Sequence, residues 1–322
     1  MPKQALSILV IGAGSIGERH VRNLRALGVD QITVLRSRRL PLRTIKEDEL
    51  TIVTSFDEAM TYAPTGAIIC TPTALHLSQS MECLRRGMSV LVEKPLSHTT
   101  AGLAELEAAA LSAGRFVQVG YMMRFHPLLL SVKKLVDENA YGGFVHAASH
   151  WGEYLPDWHP WEDYREGYAA RKELGGGAGL TLSHDLDVAL WILGADAGAR
   201  GVVKSKGSSL EVDVDVSIDV QLENGKGQIG TVHQNFFERT PRRTYTYLFD
   251  EARVEVDFFA NQLRTYYPDG QVDTETIEDF DRNDLFLDQS RDFLSRLEAP
   301  DTWADYTHDQ ISSSQRLLEI LQ

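Results

Sequence analysis

Gly12, Gly14 and Gly17 follow the apolar run 8–11 and precede a helical pattern. That spacing suits the cradling of a pyrophosphate. Gly12 permits a tight turn, Gly14 lets the backbone approach the phosphates, and Gly17 lets the following helix pack close to the strand. Ser15 and Ile16 complete the turn, where the unpaired N–H groups of a helix start favour an anion. In such a turn an acidic residue at the end of the second strand binds the adenosine ribose 2′-hydroxyl. Here Arg36, Ser37, Arg38 and Arg39 stand in that place. A guanidinium there suits a 2′-phosphate, so NADP is the expected cofactor and NAD the alternative. A hydrogen bond to a charged group contributes about 1.5–3 kcal/mol, enough for roughly tenfold or greater preference.

The elements that must position this turn alternate regularly. Residues 31–35, 52–54, 66–70, 89–92 and 116–119 read as strands, several of them near-continuous apolar runs, as in parallel sheets covered on both faces. Helical patterns lie between them at 16–27, 75–86 and 101–113, and Ser55 to Glu58 has the capping-box spacing. The alternation predicts an α/β protein with a doubly wound sheet, whose ligands sit beyond the carboxyl ends of the strands. Three of those ends carry unusual residues: Thr71-Pro72, Glu93-Lys94-Pro95, and Gly120-Tyr121 with Arg124-Phe125.

The 322 residues, 43% of them hydrophobic, suit two domains with full cores, expected at 1–122 and 123–322. No run approaches the roughly 20 apolar residues of a membrane span, and the first strand leaves no room for a signal peptide. Two cysteines, Cys70 and Cys83, are too few for a disulfide framework, so a cytoplasmic location is expected. A net charge of −14 argues against nucleic acid, which needs a basic face. His146, His150, His159, His184 and His233 fall in no zinc-ligand spacing, so no metal site is expected.

The glycine turn, Thr71-Pro72 with His76, Glu93-Lys94-Pro95, and the Gly-Tyr-x-x-Arg-Phe-x-Pro string 120–127 together resemble the glucose-fructose oxidoreductase/inositol dehydrogenase/MocA family. Glu173 to Gly177, His184-Asp-Leu-Asp187 and Trp191 to Gly194 extend the resemblance, which is dense over 6–194. It implies an NAD(P)-dependent oxidoreductase acting on a secondary alcohol or ketone of a sugar, aminosugar or cyclitol. It also implies that Lys94 reaches the nicotinamide ribose and the reacting oxygen, that His184 exchanges the proton, and that Thr71, Pro72, His76 and Glu93 help to bind the cofactor. An ammonium beside a hydroxyl favours its alkoxide. A histidine in a first helical turn, capped by Ser183 or Thr181, feels the positive dipole end and stays a neutral base. Two other outcomes are a redox-neutral sugar-modifying enzyme with a retained cofactor and a non-catalytic dinucleotide-binding regulator. Many members of the family place an Asp four residues before the histidine. Leu180 stands there in this chain and Thr181 three before, so Asp185, Asp187 or a loop carboxylate is left to supply the charge.

The second half is expected to be an α+β domain on a large open, mainly antiparallel sheet. Its strands are predicted at 144–150, 212–222, 227–232, 244–249, 253–258 and 262–267, with a hairpin at Asn224-Gly225 and helices around 285–297 and 305–321. The resemblance implies face-to-face pairing of such sheets, hence a homodimer or homotetramer. The loop 151–172 is rich in aromatic and basic residues. Tyr121, Arg124, Trp158, His159, Tyr164, Arg171 and Thr181 are the expected substrate contacts, with Arg165, Arg171 and Lys172 able to clamp an acidic group. The acidic row Asp213, Asp215, Asp219 reads as a solvated or subunit-facing strand face.

Overall fold

The computed structural model describes residues 6–37, 41–207 and 209–322. The first half alternates as its apolar runs require: β1 (Ser7–Ile11), α1 (Ser15–Ala26), β2 (Gln31–Leu35), β3 (Thr51–Val53), α2 (Phe56–Met60), β4 (Gly66–Ile69), α3 (His76–Arg85), β5 (Ser89–Val92), α4 (Leu103–Ala113) and β6 (Val117–Val119). Among the described residues these make a six-stranded parallel sheet in the order β3-β2-β1-β4-β5-β6. Strand order reverses between β1 and β4, which puts the glycine turn at the topological switch point. The Ser55 hydroxyl accepts the Glu58 N–H at 3.2 Å, and the Glu58 carboxylate accepts the Thr54 N–H at 3.0 Å. That is a capping box whose return bond lands one residue early.

The second half contains α5 (Pro127–Asp137), β7 (Phe144–Gly152), α6 (Ala178–Thr181), α7 (His184–Leu193), β8 (Gly198–Ser205), β9 (Ser217–Glu223), β10 (Ile229–Asn235), β11 (Arg242–Phe249), β12 (Arg253–Asp257), β13 (Gln262–Tyr266) and β14 (Val272–Thr276), followed by α8 (Arg282–Leu297) and α9 (Trp303–Leu321). Its described strands form an eight-stranded sheet, β14-β13-β12-β11-β7-β10-β9-β8, antiparallel except where β7 meets β10. Both fold expectations hold: a doubly wound first sheet and a mainly antiparallel second one. Tyr245, Tyr247, Val254, Val256, Val220, Leu222 and Val232 alternate onto the buried face. Helix α7 packs against β7 and β10.

Contacts divide the chain into one unit of Met1–Met122 with Arg282–Gln315 and another of Met123–Asp281 with Arg316–Gln322. Most of the two final helices thus groups with the first unit, where the sequence assigned the whole of 123–322 to the second domain. The reason is apolar. Phe293 of α8 is fully buried with its ring 5.5 Å from Phe116, and Trp303 of α9 stands 5.5 Å from the same ring. Each such ring contributes about 1.5–3 kcal/mol on burial.

The strand predicted at 212–222 begins only at Ser217. Asp213 and Asp215 explain the break, because their hydrogen bonds are spent locally. Asp213 accepts the Lys172 N–H at 2.7 Å, and Asp215 accepts the Ala178 N–H on its carbonyl and the Gly179 N–H on its carboxylate, at 2.9 and 3.0 Å. The acidic row is therefore not one solvated face. Strands β8 and β14 are additional to those read from the sequence.

Candidate functional site

The glycine turn has the backbone that its residue types dictate. Gly12 adopts φ +91°, and a Cβ there would lie 2.9 Å from the Cys70 carbonyl oxygen. A Cβ at Gly17 would lie 2.1 Å from the Gly12 oxygen, so only glycine lets α1 pack this close. At Gly14 an added Cβ meets no protein atom within 4 Å, so packing does not require glycine and the backbone face lies open to a ligand. Gly14 is also the N-cap of α1, and no side chain caps the helix, which leaves the anion-favouring end of Ser15 and Ile16 to a ligand. The turn fits a dinucleotide pyrophosphate.

Beside it, the Gly12 N–H donates to the Leu35 oxygen at 2.9 Å, which brings the end of β2 against the turn. Arg36 and Ser37 begin the segment that follows; Arg38 lies outside the described residues. The Arg36 guanidinium is buried and pairs with Glu47 at 2.9 Å, so its charge is already matched.

The ends of β4 and β5 meet around two buried histidines. His76 bonds through Nδ1 to the Pro95 oxygen and through Nε2 to the Thr71 oxygen, both at 2.8 Å. It therefore ties two strand ends together, with both ring nitrogens meeting backbone oxygens. Two carbonyl acceptors favour the imidazolium, but burial outweighs them and pushes its pKa down. Thr71 donates to Gln79 at 2.6 Å, while Pro72 is exposed. Glu93 meets His20 of α1 at 2.8 Å, and both are buried. Burial pushes the Glu93 carboxyl up, yet the hydrogen bond to His20 and the charges of His20, Lys94 and His76 outweigh it and hold the pKa below the usual value. The sequence reading missed His20; its signal was a histidine three residues past the last glycine, on the helix face toward the strands. From Met88 to Ser97 every residue is buried except Lys94. The Lys94–Pro95 peptide is cis. Tyr121 is buried, 4% exposed.

In the second unit His184 is the first residue of α7 and only 4% exposed. Ser183 precedes it without a capping hydrogen bond, at φ −55° and ψ −13°. An N-cap hydroxyl needs extended backbone to reach back to N2 or N3, so helical Ser183 cannot serve, contrary to expectation. Thr181 ends α6 and is buried. The Trp151 ring lies 6.2 Å from the His184 ring at 32°. Arg243 stacks over Trp151 at 4.0 Å, donates to Asp185 at 2.6 Å and reaches the Tyr245 hydroxyl at 2.8 Å. Burial disfavours its charge, but Asp185 and Tyr245 outweigh this and keep the guanidinium protonated. Asp187 receives a two-pronged bond from Arg124 at 2.6 and 2.9 Å. Both carboxylates of the 184–187 motif thus belong to arginines, and Arg124 is committed to Asp187 where the sequence placed it on substrate. His126, beside Arg124 in the same motif, has its pKa pushed down to about 4 by burial and by the Arg243 charge, and it caps α5 by accepting the Leu128 N–H at 3.2 Å.

The aromatic loop is braced. Trp158 meets Phe236 edge-on at 5.5 Å, His159 lies against Trp161 at 5.3 Å, and the Tyr164 hydroxyl accepts the Glu211 N–H at 3.2 Å. Arg165 pairs with Asp163 and Glu211, and Arg171 with Glu166 and Glu173. Two members of the expected basic clamp, Arg165 and Arg171, thus have carboxylate partners of their own. His150 bonds Glu238 and His233 bonds Asp219, with the two rings 4.8 Å apart. Among the described residues no group of three or more His, Cys, Asp or Glu could hold a metal ion, and no helix is long and apolar enough to cross a membrane.

Sheet order, glycine turn and strand-end residues define a dinucleotide-binding Rossmann fold. Residues 6–121 match the oxidoreductase family with NAD-binding Rossmann fold, Gfo/Idh/MocA, and residues 129–257 match the Gfo/Idh/MocA C-terminal domain. The chain belongs to the Gfo/Idh/MocA family. It is 31% identical over 210 residues to an inositol 2-dehydrogenase of Acidiphilium cryptum, covering 62% of this chain and 58% of that one. It is 30% identical over 145 residues to an inositol 2-dehydrogenase of Rhodococcus erythropolis, covering 43% and 42%. The matched regions thus span about half the length of these curated relatives. In fold it is similar to a 3-ketoreductase from Actinomadura kijaniata in complex with NADP and TDP-benzene, with TM-score 0.81, 18% identity and coverage of 98% and 96%. It is also similar to the gentamicin A biosynthesis protein GenD2 in complex with NAD, with TM-score 0.78, 22% identity and coverage of 99% and 94%.

Proposed function

We propose that this protein is an NADP-preferring dehydrogenase or reductase acting on a secondary alcohol or ketone of an uncharged sugar, aminosugar or cyclitol derivative. The observation that carries the reading is Lys94, the one side chain that emerges from the buried stretch Met88 to Ser97, at a strand end beyond the phosphate-binding turn. When bound, the nicotinamide accepts or donates the hydride. Lys94 stabilises the developing alkoxide with its ammonium, and Glu93, held by His20, keeps a negative charge beside that ammonium. His184 takes or returns the hydroxyl proton. Gly12, Gly14, Ser15, Ile16 and Gly17 hold the pyrophosphate.

The NADP preference is supported by the absence of a carboxylate at the end of β2 and by Ser37 and Arg43 at the ends of the segment that follows. The pairing of Arg165 and Arg171 with carboxylates removes the reason to expect an acidic substrate. The named inositol 2-dehydrogenase relatives support the polyol class. The test is nicotinamide absorbance with NADP and NAD across sugars, aminosugars, cyclitols and sugar acids. Substrate-dependent turnover on neutral polyols, faster with NADP, is expected; turnover confined to sugar acids would overturn the substrate class.

A further inference from the structure

His20 lies in α1, three residues past Gly17, and is fully buried. Glycine at position 17 lets α1 approach the strands closely enough for this ring to meet a residue 73 positions further on: Nε2 stands 2.8 Å from Oε1 of Glu93. An ionised carboxylate only accepts, so the ring nitrogen is the donor. The ring's Nδ1 has no hydrogen-bond partner among the described residues, which leaves Glu93 as its polar tie. Packing does not explain a histidine here. The ring stands edge-on to Phe286 at 6.1 Å, and a phenyl group would fill such a place without leaving a buried polar atom unmet. Glu93 is seated on another side as well. A Cβ at Gly120, just past the end of β6, would lie 3.2 Å from Glu93 Oε2 and 3.1 Å from its Cα, so the bare glycine leaves the carboxylate its room.

A carboxylate enclosed in this way is costly to bury unless it stays paired. Its hydrogen-bond partner is His20, and the next residue in the chain is Lys94, whose charge together with those of His20 and His76 favours the ionised form. A negative charge fixed at one place beside an ammonium limits where that ammonium rests, and hydride transfer needs it placed on the reacting oxygen. We propose that His20 is a positioning residue for the hydride step: it holds the Glu93 carboxylate, seated against Gly120, as the fixed counter-charge that aims Lys94. The inference rests on the catalytic reading of Lys94 above. It gives Glu93 its partner in Lys94, where the family resemblance put it on the cofactor.

The experiment uses the full-length protein and its His20→Phe, His20→Gln, Lys94→Ala and His20→Phe/Lys94→Ala variants. It measures kcat on a neutral polyol that the wild type turns over, NADPH and NADH affinity by nucleotide fluorescence, and melting curves. His20→Phe, which keeps a ring and loses the donor, is expected to lower kcat about tenfold or more while both nucleotide affinities stay within about twofold. His20→Gln, which can still offer an N–H to Glu93, is expected to recover kcat to within about threefold of wild type. In the Lys94→Ala background His20→Phe should change the residual kcat less than about twofold, because a residue that acts through Lys94 has nothing left to aim. Glu93→Gln, which removes the charge and keeps the shape, should lower kcat in the same way, and it carries the test if His20→Phe does not fold. Wild-type kcat in folded His20→Phe, a loss of nucleotide affinity as large as the loss in kcat, or the full further loss in the Lys94→Ala background overturns the positioning role and leaves Lys94 standing. Full turnover by Lys94→Ala overturns the reading of Lys94, and the role of His20 with it.

Discussion

Lys94 and His184 are held by different means. Lys94 sits on a strand end whose neighbours are fixed by buried histidines: His76 grips the Pro95 and Thr71 carbonyls, and the His20 ring meets the Glu93 carboxylate. His184 sits on a helix fixed through charge: Asp185 to buried Arg243, Asp187 to Arg124, with Trp151 lying near both Arg243 and His184. The strand-end frame uses residues close in sequence to the glycine turn or to Lys94. The helix frame depends on arginines 58 and 63 residues away. A buried ion pair is weak in net stabilisation, but removing one partner is costly because the other charge stays buried. The helix frame should therefore fail abruptly and the strand frame gradually.

The largest effect expected is on rate. His184→Gln should lower kcat by about 10²–10⁴-fold with little change in melting temperature, since the proposed general base is lost and the frame remains. Steady-state kinetics and thermal melts of the same preparation check this. On stability, Arg243→Met should cost about 3–5 kcal/mol by leaving Asp185 buried and unpaired. Arg124→Met should cost less, because Arg124 keeps some contact with solvent and its 24% exposed side chain lies nearer water. Urea denaturation of both variants, and of the Arg243→Met/Asp185→Leu double variant expected to regain part of the loss, tests the charge frame.

Acid sharpens the contrast. The folded pKa of Glu93 is lowered, so its stabilising contribution is fully present above the unfolded value of 4.5 and is lost as pH falls through the lower folded value. Glu93→Gln should flatten the dependence of stability on pH below about 4.5, its deficit against wild type being largest at neutral pH and shrinking as pH falls. Denaturation midpoints from pH 3 to 7, taken in roughly unit steps, would show a parallel shift instead if the charge contributes nothing. The smallest effects concern two serines that look alike in sequence. Ser55→Ala removes a real cap and should cost about 1 kcal/mol, whereas Ser183→Ala should stay within about 0.5 kcal/mol because Ser183 makes no cap bond.

The first unit was legible because its signals are local. Apolar runs, glycines at fixed spacing and a lysine between Glu93 and Pro95 all report within a few residues. What was not legible depends on partners that pattern does not specify. Glu18 lies inside the glycine motif, yet it binds Arg43 and Thr44, 25 and 26 residues further on, which no spacing announces. Arg36 has Glu47 beside it, and Arg165 and Arg171 have carboxylates of their own, partners that spacing in the sequence does not announce. The alternation at 212–222 is a true strand pattern, broken where Asp213 and Asp215 bond to backbone 36–41 residues earlier in the chain. Helix α8 carries an apolar face that the sequence shows plainly. Which unit buries that face is settled by Phe116 and Phe293, which no periodicity pairs.

The most direct test of the account is Lys94→Ala, measured for turnover on a substrate of the wild type and for NADPH binding in the same buffer. The account predicts a fall in kcat of about 10²-fold or more, with a native melting curve and NADPH affinity within about tenfold of wild type. Full turnover by the folded variant would contradict it, for then the one side chain not buried in that strand end would take no part in the chemistry.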